Sequence, residues 1–481
     1  MFPHLRAGSR APLLTACVSL TLQTRTSEAH SNDDGRKLFR TGARPEKEIT
    51  VGSLKIGKAI GLALVLCVAT AISSSAQSLT TLDSFNGTDG IAPSATLVQG
   101  TDGNFYGTSS SGGANGNFGT VFKVAPDGTL TTLYNFCSQA NCVDGANPQA
   151  SLLLGKDGNF YGTTYIGGTN CVSGTSNTGC GTVFKITPQG QLTTLYSFCS
   201  LSSGFVCNDG SSPSAALMQA ADGNFYGTTA YGGGNTADNN CFCGGLGTVF
   251  KISPAGKLTT LYNFCNLTNS NGDCLDGAVP RGALVQTSNG RFYGTTYDGG
   301  TGYHNQGGTI FQLTSSGKLT TLYSFCHKGT TCIDGGYLFA GLTQATNGKF
   351  YGVTRYGGYN GWGTIFEVTA AGKLATLHQF TQSNEGITPY SALVKGVDGN
   401  LYGTAPAGGA YTSTGNSSGT VFRITPQGKL TTLYNFCSLT KCTDGAYPYG
   451  GLVQGSNGDL YGVTFAGGAN GDGTVFSVSM K

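Results

Sequence analysis

The chain has 481 residues, of which 78 are glycine, 11% are charged and 10% are aromatic, with a formal net charge of +3. Abundant glycine with ample aromatic content and few charges describes a turn-rich all-β chain and excludes disorder. The near-neutral balance gives no ground for a nucleic-acid partner.

Taken in chain order, residues 1–50 carry no periodicity. Residues 51–76 have the order of a secretory signal: Lys55 and Lys58, an uncharged apolar stretch from Ala59 to Ile72, then the small residues Ser74-Ser75-Ala76. The apolar stretch is short for a membrane span. A lipoprotein reading through Cys67 is weak, because Leu66 stands where a small residue belongs. Translation from Val51 and cleavage after Ala76 are expected, with 1–50 a non-native or disordered extension. The mature chain would then be a secreted, cell-envelope or periplasmic domain over 77–481. That part holds 17 Lys/Arg and 19 Asp/Glu, a net charge of −2.

From residue 79 onward one three-part phrase recurs seven times. Tyr-Gly-Thr/Val begins at Tyr106, Tyr161, Tyr226, Tyr293, Tyr351, Tyr402 and Tyr461. Gly-Thr-Val/Ile-Phe begins at Gly119, Gly181, Gly247, Gly308, Gly363, Gly419 and Gly473. Leu-Thr-Thr-Leu begins at Leu79, Leu130, Leu192, Leu258, Leu319, Leu374 (with Ala in second place) and Leu430. A period of 51–67 residues marks a repeat architecture.

Each unit predicts four strands, named A to D here: a short apolar run such as Leu97-Val98-Gln99, then Phe-Tyr-Gly-Thr-Thr, Gly-Thr-Val-Phe-Lys-Ile and Leu-Thr-Thr-Leu-Tyr-Asn-Phe. Asp-Gly or Asn-Gly turns join A to B, and Pro-Xaa-Gly turns join C to D. The A Leu and B Tyr are 9 residues apart in every unit, and the C Gly and D Leu are always 11 apart. In contrast, B to C varies over 12–21 and D to A over 18–26. In an up-and-down antiparallel blade all of that variation lies on one face. The repeats start with a lone strand D and end with a unit lacking one, so the first strand can complete the last blade and shut the ring. The expectation is an all-β, seven-bladed β-propeller; a stacked solenoid would need near-constant rungs and end caps.

Fourteen cysteines follow the leader, in close pairs. Cys137/Cys142, Cys199/Cys207, Cys265/Cys274, Cys326/Cys332 and Cys437/Cys442 follow strand D, and Cys171/Cys180 lies elsewhere; these six pairs are expected disulfides. Cys241 and Cys243 are too close for an unstrained bridge. His304, His327 and His378 are widely scattered, so neither a metal nor a cofactor is expected.

Asp-Gly-Asn-Phe-Tyr-Gly-Thr-Thr (157–164), Gly-Gly (167–168) and Gly-Thr-Val-Phe-Lys-Ile (181–186) resemble the GloVer tandem repeat of exported bacterial proteins. The resemblance spans nearly all of the mature chain. More distantly, the units are similar to propeller repeats of two-component sensor ectodomains. GloVer proteins often add a carboxy-terminal anchor; with Lys481 directly after the last strand, the resemblance implies release. It implies no activity for particular residues.

Two residue sets are candidates for ligand contact on the variable face. One acid precedes each strand A: Asp89, Asp144, Asp209, Asp276, Asp334, Glu385 and Asp444. In a closed ring these would circle the channel mouth, to bind a cation or sugar hydroxyls, or would serve only as Asp-Gly turn residues. The other set is aromatic: Tyr165, Tyr231, Tyr297, Tyr356 and Trp362, beside a Gly-Gly step found in all seven units. Such rings suit stacking on sugars or gripping a protein, or packing beneath the loops. The Gly-Gly step itself is expected to serve backbone geometry. The most irregular sector holds His304, His327, Arg355 and Trp362.

No catalytic residue is singled out. Gly415-Asn416-Ser417-Ser418-Gly419 matches a nucleophile-elbow string without the strand-to-helix turn it needs. A single Trp argues against quinoprotein propellers docked through tryptophan motifs. The expected function is a secreted, monomeric recognition or scaffold module for glycan or protein. The alternatives are a carbohydrate-active lyase or hydrolase using acids at the channel mouth, or a purely structural envelope protein.

Overall fold

The computed structural model describes residues 77–480, apart from 171–179, 204–205, 235–244, 303–306, 328–331, 382 and 414–415. The expected extension (1–50), the signal segment (51–76), Cys171, Cys241, Cys243, His304 and Gly415 lie outside the described residues.

Seven four-stranded antiparallel sheets follow one another, each in the order A-B-C-D. The first blade is Val98–Gln99, Phe105–Ser109, Thr120–Val124 and Leu130–Asn135. The ring closes as the phrase order required: Leu79–Ser84 pairs antiparallel with Thr474–Val478, from Leu79 opposite Val478 to Ser84 opposite Thr474. The chain is therefore a seven-bladed β-propeller whose last blade is completed by its first strand.

Aromatic side chains join the blades. The Phe ending each strand D meets the strand C Phe of the next blade edge-on or tilted, as in Phe136–Phe184 at 5.3 Å and Phe264–Phe311 at 5.3 Å. The closing interface is built the same way, with Phe85 against Phe122 at 5.0 Å. All of these rings are buried. A fully buried Phe contributes roughly 1.5–3 kcal/mol, and an edge-on pair adds about 0.5–1.5 kcal/mol. A second belt stacks the strand B Tyr on the strand B Phe of the next blade, as in Tyr106–Phe160 and, across the closure, Phe105–Tyr461, both at 4.0 Å. Both belts bridge neighbours, which is why Val121 and Phe122, on opposite sides of one strand, are each fully buried.

Five of the expected disulfides are formed: Cys137–Cys142, Cys199–Cys207, Cys265–Cys274, Cys326–Cys332 and Cys437–Cys442. Each pins the D–A loop immediately after the buried Phe. The loop then docks on the following blade, where the Gly-Gly step donates to the second cysteine's carbonyl, as from Gly168 N–H to Cys142 at 2.9 Å. Gly167 has φ +85°, and a Cβ there would stand 2.7 Å from the Cys142 carbonyl oxygen. The Gly-Gly step is thus a backbone-contact device.

The expected bridge at Cys180 has its partner, Cys171, outside the described residues. Cys180 lies at the end of a B–C loop, directly before strand Thr182–Ile186, rather than in a D–A loop after a strand D Phe. There it is buried, and its carbonyl accepts from Ser212 N–H of the next blade at 3.0 Å.

Candidate functional site at the channel mouth

The site is built from seven copies of one backbone turn. Ala92, Asn147, Ser212, Val279, Tyr337, Thr388 and Tyr447 precede the strand A segments and are all left-handed, with φ of 54–61°. None is glycine, so each costs about 1–2 kcal/mol. An interblade bond offsets that cost: each donates its N–H to a carbonyl of the preceding blade, as Asn147 does to Phe118 at 2.7 Å and Val279 to Leu246 at 2.8 Å. Six of the seven are followed by proline. The proline ring packs on the strand C glycine of the preceding blade; a Cβ on Gly247 would stand 2.5 Å from Pro280 Cδ.

The residue after this turn's proline reaches the channel mouth. There a cavity of about 420 Å³ opens. Ser94, Gln149 and Ser214 give it a small polar arc, while Phe339, Tyr390 and Tyr449 give it an aromatic one. Arg281 stands between the two arcs, and the ends of three B strands add Ser110, Arg355 and Phe465.

The aromatic arc is continuous. Tyr297 meets Phe339 edge-on at 4.6 Å, and Phe339 stacks on Tyr390 at 4.4 Å. Tyr390 then meets Tyr449 at 5.3 Å, and Tyr449 meets Phe465 at 5.4 Å, both edge-on. Both guanidinium groups lie against it. Arg281 is 5.5 Å from the Phe339 ring centre and 5.7 Å from Tyr297. Arg355 is 5.0 Å from Phe339, 5.0 Å from Tyr356 and 5.5 Å from Tyr390. Sharing one ring keeps the two cations within about 10 Å, where like charges repel by roughly 1.7 kcal/mol at an effective dielectric near 20. Cation–π contacts of about 0.5–2 kcal/mol each offset this. Arg281 also donates from Nη2 to the Tyr231 hydroxyl at 3.4 Å. Burial raises the Tyr390 pKa above the usual phenol value, although both arginines pull the other way.

The acids are placed elsewhere; none of the seven lines this cavity. Asp144, Asp209, Asp276, Asp334 and Asp444 are buried, and each accepts a hydrogen bond from the strand D tyrosine hydroxyl. Asp144 accepts from Tyr134 at 2.8 Å, from Ser138 N–H at 2.9 Å and from Gln139 N–H at 3.3 Å. The bonds run toward the outermost strand, away from the channel. Burial raises Tyr134 to about 12; Ser138 opposes the shift and the Asp144 bond adds to it. Two blades depart from the pattern. In one, His378 replaces tyrosine and its Nε2 lies 3.1 Å from Glu385. In the other, Asp83 stands in the tyrosine position, and Asp89 accepts instead from Asn86 N–H at 2.9 Å. Burial raises the Asp89 pKa; the Asn86 bond opposes the shift, and the charges of Asp83 and Asp472 add to it.

The aromatic candidates divide by register. Tyr165 and Tyr297 lie four residues after the strand B Tyr, in the column that also holds Arg355 and Phe465. Tyr231 and Tyr356 lie five residues after it, paired in isolated bridges with Ser211 and Gly336. A one-residue step reverses side-chain direction, yet Tyr231 and Tyr356 still reach the arginines from the cavity's flank. Trp362 packs against the apolar core beneath its loop, beside Ile365 and Phe380. Sequence reasoning missed Arg281, Phe339, Tyr390 and Tyr449. The available signal was the residue after the recurrent proline, which reads Ser, Gln, Ser, Arg, Phe, Tyr and Tyr around the ring, with leucine in place of proline before Phe339.

No group of three or more His, Cys, Asp or Glu that could hold a metal ion occurs among the described residues. No helix among them is long and apolar enough to cross a membrane.

The Gloeobacter/Verrucomicrobia repeat matches residues 68–207, 171–345 and 328–481. The chain belongs to that repeat family. No curated protein matches it in sequence. Among solved structures, this Gloeobacter/Verrucomicrobia repeat protein is similar to the extracellular domain of a hybrid two-component system from B. thetaiotaomicron, at 9% identity and TM-score 0.49. That match covers 83% of this chain but only 39% of the ectodomain's length. It is also similar to the periplasmic gluconolactonase of Pseudomonas aeruginosa, at 15% identity and TM-score 0.42, covering 79% of this chain and 95% of that one. The PQQ-bound aldose sugar dehydrogenase of Streptomyces coelicolor matches at 14% identity and TM-score 0.37, over 84% and 98% of the two chains.

Proposed function

We propose that this propeller is an extracytoplasmic recognition module that binds a carbohydrate in the mouth of its channel. The observation that carries the reading is the asymmetry of the mouth. One continuous aromatic arc, from Tyr297 to Phe465, faces a polar arc of Ser94, Gln149 and Ser214 across about 420 Å³. Sugars present apolar C–H faces and hydroxyl edges, and such a pocket offers a partner to each. The five disulfides support residence in an oxidising compartment. Hydrolysis by paired carboxylates gains no support here, because no carboxylate among the described residues lines the cavity.

Affinity electrophoresis through gels containing neutral and acidic polysaccharides tests the reading. Retardation by at least one polysaccharide is expected, and Phe339→Ala with Tyr390→Ala should abolish it. Migration unchanged across the whole panel, or retardation indifferent to that double variant, refutes it.

A further inference from the structure

We infer that the carbohydrate is acidic, its carboxylate or sulfate held between Arg281 and Arg355 over the ring of Phe339. This rests on the carbohydrate reading above and names the chemical class of the ligand.

The first observation is missing charge balance. Three ion pairs occur among the described residues, Lys251–Asp222, Lys349–Glu367 and His378–Glu385, and none involves either arginine. The nearby acid, Asp298, is turned to its own loop, accepting from Gly299 N–H at 2.9 Å. Burial raises its pKa, opposed by that bond. The second observation concerns Arg281 itself. Its Nε is buried and has no hydrogen-bond partner. A guanidinium N–H in that position is costly unless something accepts from it, and turning the guanidinium toward an anion in the cavity would supply that acceptor.

The third observation is where the arginines occur. Residues equivalent to Arg281 in the other blades are Ser94, Gln149, Ser214, Phe339, Tyr390 and Tyr449. Residues equivalent to Arg355 are Ser110, Tyr165, Ala230, Tyr297, Pro406 and Phe465. Neither arginine belongs to the repeat pattern, although the propeller segment as a whole is slightly acidic, with 17 Lys/Arg against 19 Asp/Glu over 77–481. Two unneutralised cations on adjacent blades are thus focused at the mouth of an otherwise anionic ring. Arginine's planar fork suits a carboxylate bidentately, and contact with Phe339 keeps both guanidinium groups at the cavity wall. The sugar ring bearing the anion would then lie along Tyr390 and Tyr449.

Isothermal titration with short galacturonate oligomers, sulfated galactan oligomers and neutral galactan oligomers of equal length provides the test. The galacturonate or sulfated oligomer should bind at least about tenfold more tightly than the neutral one, with affinity falling as salt rises. Whichever of the two binds more tightly identifies the anion as carboxylate or sulfate. Arg281→Gln and Arg355→Gln should each remove about tenfold of that preference, weakening acidic-oligomer binding more than neutral-oligomer binding. Arg281→Lys, which keeps the charge, should retain part of it, and melting curves of all three variants should match the parent. Equal affinity for acidic and neutral oligomers, still sensitive to Phe339→Ala, overturns this inference and leaves the carbohydrate reading standing. A preference that survives both Gln variants also overturns it. Failure of every oligomer to bind removes both readings.

Discussion

Replacing Asp144 by Ala separates a structural carboxylate from a ligand-binding one. Its oxygens accept from Tyr134 Oη, Ser138 N–H, Ser138 Oγ and Gln139 N–H, at 2.8–3.3 Å, and the residue is fully buried. The two hydroxyls already lie 2.7 Å apart and can bond each other once the acid is gone. Ser138 and Gln139 are both exposed, so their N–H groups can turn to water. Losing the charge-assisted bonds should cost about 3 kcal/mol. With an unfolding entropy of roughly 2.1 cal/mol/K per residue over about 400 residues, this lowers Tm by about 3.5 °C. Differential scanning calorimetry reads the shift, and native-state hydrogen exchange should locate the loss of protection at Ser138. A cycle with Tyr134→Phe should be non-additive by about 1 kcal/mol, since one bond is removed by either change. A Tm within about 1 °C of the parent, together with additive behaviour, would refute the bonding scheme. Carbohydrate binding should be unaffected at 25 °C, because Asp144 does not line the mouth.

The tyrosine–aspartate staples also predict alkaline sensitivity. Burial, opposed by the neighbouring serine and reinforced by the aspartate bond, raises Tyr134 and Tyr434 from 10.0 to about 12. The unfolded chain therefore loses these protons first, and stability should fall as pH rises from 10.0 through about 12. Urea midpoints across that range measure the loss, which should shrink in the Tyr134→Phe, Tyr434→Phe double variant. The His378–Glu385 blade should respond at the other end of the scale. Burial holds the His378 pKa below 6.5 despite the pull of Glu385. The unfolded chain then takes up the proton first, so this blade loses stability as pH falls below 6.5. Exchanging the pair for the pattern of the other blades, His378→Tyr with Glu385→Asp, should remove that dependence in urea denaturation at graded pH.

Fold and site were legible in the sequence to different degrees. The fixed and variable spacings dictated four strands, seven blades, a strand-exchanged closure and a loop-bearing face, because turns of constant length leave the strands only one pairing. The five strand D disulfides followed from local cysteine spacing for the same reason. Cys180 sits in a loop of the other kind, between strands B and C, buried against the next blade. Strand alternation could not reveal the bulge that each C–D pair carries. Val121 faces Tyr134 and Phe122 faces Thr132, so one extra residue, Leu133, intervenes and re-aims the end of the strand. That end is where Tyr134 turns back to Asp144, so the acids became outer-strand staples instead of a ring at the mouth. The mouth was decided by tertiary structure alone. Arg281 and Arg355 are 74 positions apart in the sequence and meet over one Phe339 ring only because left-handed turns, held by bonds to the preceding blade, aim successive blades at a common axis. Sequence by itself determined how the chain pairs with itself, since pairing is local and repeated seven times. Which side chains converge on the axis depends on directions set between blades, and those exist only once the ring has closed.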